Sequence, residues 1–357
     1  MKHMKLFTVG PVEMYPETLR TAAEQLPYFR TPEFSGMMLE NGRMFKASIH
    51  APEEARTVFL TASGTAAMEA VVMNCFTGED KLLVINGGGF GKRFAEICAI
   101  HKIPYEELHL EFGEVLTKER LDEYGDSGYT GLLVNLHETS TGQLYDIHML
   151  SAFCKEHGMY LVVDAISAYG ADEIDFEKDG IDALIVSSQK ALALSPGLSI
   201  VAISGRMYRD RVMKIDSGSL YFDFKTHIED LKRGQTPFTP VVGILLELHE
   251  RLAWIQSVGM DKLQEQTREL AHYFREQLSK AGFQFPDFPL SNALTPVIME
   301  PHAKEMYTRL KEDYGLVATP NGGVLEDVLI RVGHLGNVCR EDYDRLIDAM
   351  KEVRESL

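Results

Sequence analysis

From about residue 57 to 204, short apolar strand-like runs alternate with stretches whose apolar positions recur at helical spacing. The runs are Thr57–Thr61, Lys81–Ile85, Tyr105–Leu110, Gly131–Leu136, Met159–Asp164, Ala183–Ser187 and Leu198–Ser204. Between them lie the helical patterns Ala66–Phe76, Gly91–His101 and Ile147–His157. Runs of branched aliphatics that do not alternate with polar residues are buried on both faces. They predict an α/β fold with a mostly parallel seven-stranded sheet covered by helices. After about residue 240 the pattern changes to a long helical region, Val241–Ala281, broken near Gly259. Shorter candidates follow at Thr295–Glu300, Ala303–Tyr314, Val328–Val332 and Glu341–Glu355. The expected organisation is a large α/β domain over 15–240 and a small α+β domain over 241–357, to which the segment 1–14 belongs.

Composition narrows the function classes. Lys plus Arg is 36 and Asp plus Glu is 53, a net charge of −17. Nucleic acid and anionic membrane surfaces need a basic face, so neither is expected as a partner. A small anion at one focused positive site remains compatible. No apolar run approaches the roughly 18–20 residues of a membrane helix, and Tyr160–Ile166 is broken by Asp164. Met1–Val9 lacks the long apolar core of a signal peptide, which points to a cytoplasmic protein. Cys75, Cys98, Cys154 and Cys339 are widely spaced with no CxxC pair or zinc spacing. Buried free thiols in a reducing compartment, and no metal, are the expectation.

Two turns carry candidate chemistry. The run Thr57–Thr61 ends at Ala62-Ser63-Gly64-Thr65 and opens directly into a helix. The first turn of a helix has unpaired N–H groups and a positive dipole end, and the small Ser-Gly-Thr turn lets a phosphate approach. A simple Ser/Thr helix cap is the competing reading. The second turn, Asn86-Gly-Gly-Gly-Phe-Gly-Lys-Arg93, fits neither the dinucleotide fingerprint nor a Walker loop, because residue 92 is Lys, 86 is Asn and 93 is Arg. It leaves a backbone that can approach a flat ligand, with Phe90 projecting, or a plain loop with a core phenylalanine.

Asp164 ends one central apolar run and Lys190 follows the next, in Ser187-Ser-Gln-Lys190. Open α/β sheets bind ligands at these strand ends. A buried carboxylate needs a cationic partner, and a lone strand-end lysine is otherwise a solvated loop residue. With a phosphate turn upstream, the three parts suit pyridoxal 5′-phosphate. That cofactor needs a lysine amine for a Schiff base, a carboxylate to keep its ring nitrogen protonated, and a phosphate cup.

The order Ser63-Gly64-Thr65, Glu138-Thr-Ser-Thr-Gly142, Asp164-Ala-Ile-Ser167, Ser188-Gln-Lys-Ala191 and Arg331-Val-Gly333 resembles class V aminotransferases of pyridoxal-phosphate fold type I. The nearest likeness is to the alanine–glyoxylate, serine–pyruvate and 2-aminoethylphosphonate–pyruvate transaminase group, and it spans nearly the whole chain. The resemblance implies that Lys190 is the Schiff-base lysine and proton shuttle, and that Asp164 pairs with the ring nitrogen. It implies that Thr139 lies beside the ring and that Ser63, Gly64, Thr65 and Gln189 hold the phosphate. Thr239, and less directly Thr236, would reach the phosphate of a partner subunit, making the enzyme a homodimer with shared sites. Arg331 would clamp the substrate carboxylate, and Gly10 and Pro11 would line the substrate entrance.

The chain departs from its relatives in two places. Phe90 takes the position where many stack Trp or Tyr on the ring, while the only tryptophan, Trp254, falls in the long helix as a core candidate. Before Pro32-Glu33-Phe34 the chain has Phe29-Arg30-Thr31, keeping Arg30 but not the histidine that precedes it in many relatives. The expected activity is transfer of an amino group from an alanine-, serine- or aspartate-type donor to a 2-oxo acid such as pyruvate or glyoxylate. The alternative donor is 2-aminoethylphosphonate, whose dianion would need Arg331 and a second group such as Arg30. A desulfurase would need a cysteine upstream of Arg331, and Leu294–Arg331 contains none. A non-enzymatic sensor with this fold would have no need of an intact Lys190, Asp164 and Arg331.

Overall fold

A computed structural model describes residues 4–125 and 127–357. Met1–His3, part of the stretch assigned to the small domain, lie outside the described residues. The principal strands are β1 (Arg56–Leu60), β2 (Leu82–Asn86), β3 (Tyr105–His109), β4 (Gly131–Asn135), β5 (Tyr160–Asp164), β6 (Ala183–Ser187) and β7 (Ser199–Ile203). They form one seven-stranded sheet in the order β1-β7-β6-β5-β4-β2-β3. Strand β7 runs antiparallel to both its neighbours and every other pairing is parallel. All seven sequence runs became these strands, with ends shifted by a residue or so.

The helices used below are α1 (Pro16–Ala22), α2 (Pro32–Ser48), α3 (Gly64–Cys75), α4 (Gly89–Ile100), α5 (Ile147–His157), α6 (Val242–Val258), α7 (Met260–Lys280), α8 (Ala303–Tyr314) and α9 (Arg340–Arg354). Successive strand side chains point to opposite faces, and here both faces are core. Val58, Leu60, Leu82, Val84 and Val162 pack on α3 and α4, where Met68, Val71, Phe94 and Ile97 are buried. Phe59, Leu83, Ile85, Leu161 and Val163 pack on the other layer, with Phe45, Leu150, Leu245 and Leu248 of α2, α5 and α6. Double-sided burial is why the inner strands read as near-continuous apolar runs, whereas the edge strand β3, Tyr-Glu-Glu-Leu-His, buries only Leu108. Each fully buried aliphatic contributes roughly 1.5–3 kcal/mol.

A third core gathers Phe7, Phe274, Leu278, Val297, Leu310, Ile330, Val332, Tyr343 and Met350. It is built around a three-stranded antiparallel sheet of β8 (Leu294–Ile298), β9 (Thr319–Pro320) and β10 (Leu329–Gly333), ordered β8-β10-β9. The break near Gly259 is a left-handed residue at φ +93°, separating α6 from α7. Among the described residues no helix is long and apolar enough to cross a membrane.

Two expectations need correction, and two helices lay outside the sequence reading. Trp254 is on α6 but 37% exposed, its ring covered by the Arg251 guanidinium at 4.2 Å rather than by the core. Of the four free cysteines, Cys75, Cys98 and Cys154 are buried but Cys339 is exposed at the start of α9. Its place before the first turn, facing Asp342, keeps it at the surface. Helices α1 and α2 were not anticipated, although Thr31 caps α2 by accepting from the Phe34 N–H and Pro32 opens it.

Candidate active site

Strand register brings the predicted residues to one edge. Ser199 of β7 faces both Leu60 of β1 and Ser187 of β6. Asp164 pairs with Ile185 on one side and Asn135 on the other. The ends of β6, β5 and β4 therefore lie side by side, with the end of β1 beyond the start of β7; Asp164 closes β5, and the segments leaving β1, β6 and β4 carry Ser63, Lys190 and Thr139.

Asp164 is buried and accepts a 2.8 Å bond from the Ile166 N–H. Burial raises its pKa to about 7, against the opposing effect of that N–H and the charges of Lys190 and Arg93. Lys190 is half-buried, and burial lowers its pKa to about 8, with Arg331 and Arg93 acting in the same sense and Asp164 opposing. A lowered value leaves part of the amine neutral near neutral pH, the form that attacks a carbonyl. The Lys190 amine makes no ion pair or hydrogen bond with a described residue. It and Asp164 attract one another across a gap.

Gly10 closes over the lysine. A Cβ there would lie 2.5 Å from Lys190 Cδ and 2.9 Å from Cε, and its φ is +153°. The N-terminal segment is held in place by the Val12 N–H donating to the Gln189 carbonyl at 3.3 Å. Pro11, at the surface, accepts from the Thr8 hydroxyl.

Ser63 caps α3, accepting from the Ala66 N–H at 3.4 Å, so the cap reading of this turn holds. The cap also aims the positive helix end at the strand edge. Gly64 sits so close to Ile166 that a Cβ would meet its Cδ1 at 2.3 Å. The Thr65 hydroxyl accepts from the Arg93 guanidinium at 3.0 Å. Gln189 is oriented by the Ser187 hydroxyl, which donates to its Oε1 at 2.6 Å.

On the other flank, Thr139 shares a 2.8 Å hydroxyl contact with Ser167. The Arg331 guanidinium, on β10, donates to the carbonyls of Thr139 (2.9 Å) and Pro320 (2.5 Å), while its Nε has no partner among the described residues. Burial lowers its pKa to about 10, leaving it a cation. The small sheet is further tied down by the Asn321 side chain, which donates to the Ser140 carbonyl at 2.7 Å.

Three of the predicted residues form a separate group. Arg30 donates to the Gln235 side chain (2.8 Å) and the Thr236 carbonyl (3.1 Å), and the Thr236 hydroxyl donates to the Phe238 carbonyl. Thr239 is exposed. This segment is tied to the end of β1, because the Val241 N–H and the Tyr221 hydroxyl both donate to Thr61, at 3.0 and 3.1 Å.

A family model for class-V aminotransferases matches residues 32–315. The chain belongs to the class-V aminotransferases. It is 30% identical over 342 residues to an uncharacterized aminotransferase of Helicobacter pylori, covering 93% of this chain and 89% of that one. It is 29% identical over 313 residues to the 2-aminoethylphosphonate–pyruvate transaminase of Phocaeicola vulgatus, covering 84% and 85%. The crystal structure of an alanine–glyoxylate aminotransferase from Nostoc sp. superimposes with a TM-score of 0.92 at 24% identity, over 99% of this chain and 96% of that one.

Three residues of this aminotransferase escaped the sequence reading. Glu138 is fully buried and accepts from the N–H groups of Phe90, Gly91 and Ser140, the Ser140 hydroxyl and the Asn135 side chain. Its carboxylate therefore occupies the start of α4, where a helix end would otherwise attract an anion. The glycines make room for it, since a Cβ on Gly88 would lie 2.7 Å from the Glu138 Cδ. His137 is buried with neither ring nitrogen partnered by a described residue, and burial lowers its pKa to about 3. Arg93 lies over the half-buried Phe90 ring at 4.7 Å and reaches Thr65. The signal for Glu138 was in the sequence, as a carboxylate beside Thr139 with a glycine-rich helix start to fill.

Proposed function

We propose that this aminotransferase holds pyridoxal 5′-phosphate on Lys190 and moves an amino group from an amino acid to a 2-oxo acid such as pyruvate or glyoxylate. The observation that carries the reading is the pairing of a partly neutral lysine with a buried aspartate, at neighbouring strand ends and out of contact with each other. The residues fit the group. Among the described residues the buried Asp164 carboxylate has no ion-pair partner and the Arg331 guanidinium keeps an unpartnered N–H, and the Gly64 turn has a close-approach backbone.

The Lys190 amine would hold the cofactor aldehyde, then carry the proton to and from the substrate α-carbon. Asp164 would keep a proton on the ring nitrogen by opposite charge. Ser63, Gly64, Thr65 and Gln189 would hold the phosphate, Phe90 would cover one face of the ring, and Thr139 would stand at its edge. Arg331 would exchange its carbonyl contacts for a bidentate grip on the substrate carboxylate, which its planar fork suits. Gly10 keeps the lysine arm covered and leaves it room to swing. When bound, the cofactor supplies an electron sink for the electron pair left on the α-carbon.

For the donor we favour an alanine-, serine- or aspartate-type amino acid, since one guanidinium, Arg331, faces the Thr139 side. The second reading, 2-aminoethylphosphonate, is favoured by the 29% identical relative that carries that name. The exposed Arg30, bonded to the Thr236 segment, would then help hold the phosphonate. The test is a half-reaction screen. One amino donor at a time is mixed with the cofactor-loaded enzyme, and loss of the visible absorbance of the lysine-bound cofactor is followed. Fast loss with alanine, serine or aspartate and none with the phosphonate supports the first donor reading, and the reverse replaces it with the second.

A further inference from the structure

Resting on the cofactor reading above, we propose that Arg93 is a positioning residue of the phosphate cup: it fixes the Thr65 hydroxyl as a donor to the phosphate. A threonine hydroxyl has one proton to give and lone pairs to accept with. A guanidinium can only donate. With Arg93 donating to Thr65 Oγ1 at 3.0 Å, one lone pair is occupied, and the hydroxyl proton is left for an acceptor on the open side. A phosphate dianion is such an acceptor, and charge-assisted bonds of this kind are the stronger ones. Ser63 follows the same logic, since its oxygen accepts from the Ala66 N–H and its proton is also left to donate.

The geometry shows how Arg93 is held to this task. Its guanidinium lies over the Phe90 ring with 4.7 Å between Cζ and the ring centre, within the range of a cation–π contact. It sits one turn into α4, whose start is fixed by the buried Glu138 carboxylate receiving the Phe90 and Gly91 N–H groups. A chain of contacts thus runs from Glu138 through the start of α4 and Arg93 to Thr65 on α3. It joins two helices through residues that lie 28 positions apart in the sequence. The planar fork permits stacking and donation at once, which a lysine ammonium would not reproduce.

The experiment is a double-mutant cycle on cofactor affinity, with full-length wild type, Arg93→Ala, Thr65→Val and the double variant. Each protein is stripped of cofactor and titrated separately with pyridoxal 5′-phosphate and with pyridoxal, which lacks the phosphate. The expected result is that Arg93→Ala weakens pyridoxal 5′-phosphate binding by about tenfold, the scale of one hydrogen bond to a charged group. Pyridoxal binding should move little, and in the Thr65→Val background the Arg93 effect should shrink to within about twofold. Equal loss for both ligands would mean that Arg93 props the Phe90 ring, and would overturn the proposal. So would full additivity with Thr65→Val, which would make Arg93 an independent contact. Arg93→Lys, which can still donate but cannot stack in the same way, should recover part of the affinity if Arg93→Ala melts early without cofactor. An Arg93→Lys protein with the affinity of Arg93→Ala and an unchanged melting temperature counts against the hydroxyl-orienting role. If the wild type itself binds no pyridoxal 5′-phosphate, the cofactor reading falls and the proposal falls with it.

Discussion

At the scale of single residues the site is a set of charges the fold holds away from their ordinary behaviour. Asp164 without cofactor is a buried carboxylate with its pKa raised to about 7. An unfolded chain releases that proton near pH 4. Between about pH 4 and 7 the folded chain therefore binds more protons than the unfolded one, and its stability falls as pH rises. Asp172, raised to about 6, adds to the same slope. Lys190, lowered to about 8, acts in the opposite sense from about pH 8 to 10.5, where stability recovers. Asp164→Asn should thus stabilise the cofactor-free protein by a few degrees at pH 8, less at pH 5, and yet cut transamination by at least a hundredfold. Melting curves at the two pH values and a rate assay check this. An equal melting gap at both, or a near-normal rate, would refute the assigned role. Lys190→Ala should abolish both the borohydride-reducible cofactor adduct and turnover, and an adduct that survives would move the attachment elsewhere. Lys190 and Asp164 were legible in the sequence only together: a strand-end lysine alone is ordinarily a solvated loop residue, but beside an apolar-run carboxylate and an upstream Ser-Gly-Thr turn that bland explanation loses ground. Arg93 was not, because its meaning lies in Thr65, on another helix, and no local pattern links the two.

At the scale of elements, the strands were legible for a physical reason. A strand buried on both faces, such as Leu82–Asn86, is an unbroken apolar run bounded by turns. Helix α2 was missed because its Thr31-Pro32 start signal is followed by Ser35, Gly36, Glu40, Asn41 and Gly42, which blur the apolar stripe. The Gly87–Gly91 cluster showed what it was not, but its occupant lay some fifty residues downstream. Glu138 joins the start of α4 to the segment carrying Thr139, so its loss should be felt at both. Glu138→Ala leaves the Phe90, Gly91 and Ser140 N–H groups and the Asn135 amide without their acceptor. Unsatisfied buried donors cost roughly 1–3 kcal/mol each. We therefore expect a loss of at least ~3 kcal/mol in urea unfolding of the cofactor-free chain, with Glu138→Gln losing about half as much. If the alanine variant were as stable as wild type, the carboxylate would not be what fixes α4.

At the scale of the whole molecule, one chain leaves Thr239 facing outwards. Thr239 is exposed; beside it Tyr221, 38% exposed, stacks on Phe238 at 5.3 Å, and Leu26, 48% exposed, lies against Gly243. Arg30 and Gln235 brace the segment from behind, and Thr61 at the end of β1 ties down its far end. A braced, exposed, threonine-bearing loop flanked by apolar side chains suits an interface between copies. We propose a homodimer in which each copy offers Thr239, and less directly Thr236, to the other's phosphate. A phosphate dianion takes many donors, and one helix turn supplies few. A two-fold axis lets the same loop serve both sites at once. Cofactor binding and dimerisation would then stabilise each other. The check is to mix Lys190→Ala with Thr239→Ala subunits after dissociation and reassembly. In a mixed dimer with shared sites, one site contains both altered residues and the other contains neither. Reassembled mixtures should then exceed the mean activity of the two parents, approaching about a quarter of wild type when half the dimers are mixed. If each site is built from one chain, every site carries one lesion and the mixture gives only the parental mean. A fully active monomer by light scattering would also rule out the shared arrangement, and Thr239 would then have no phosphate to reach.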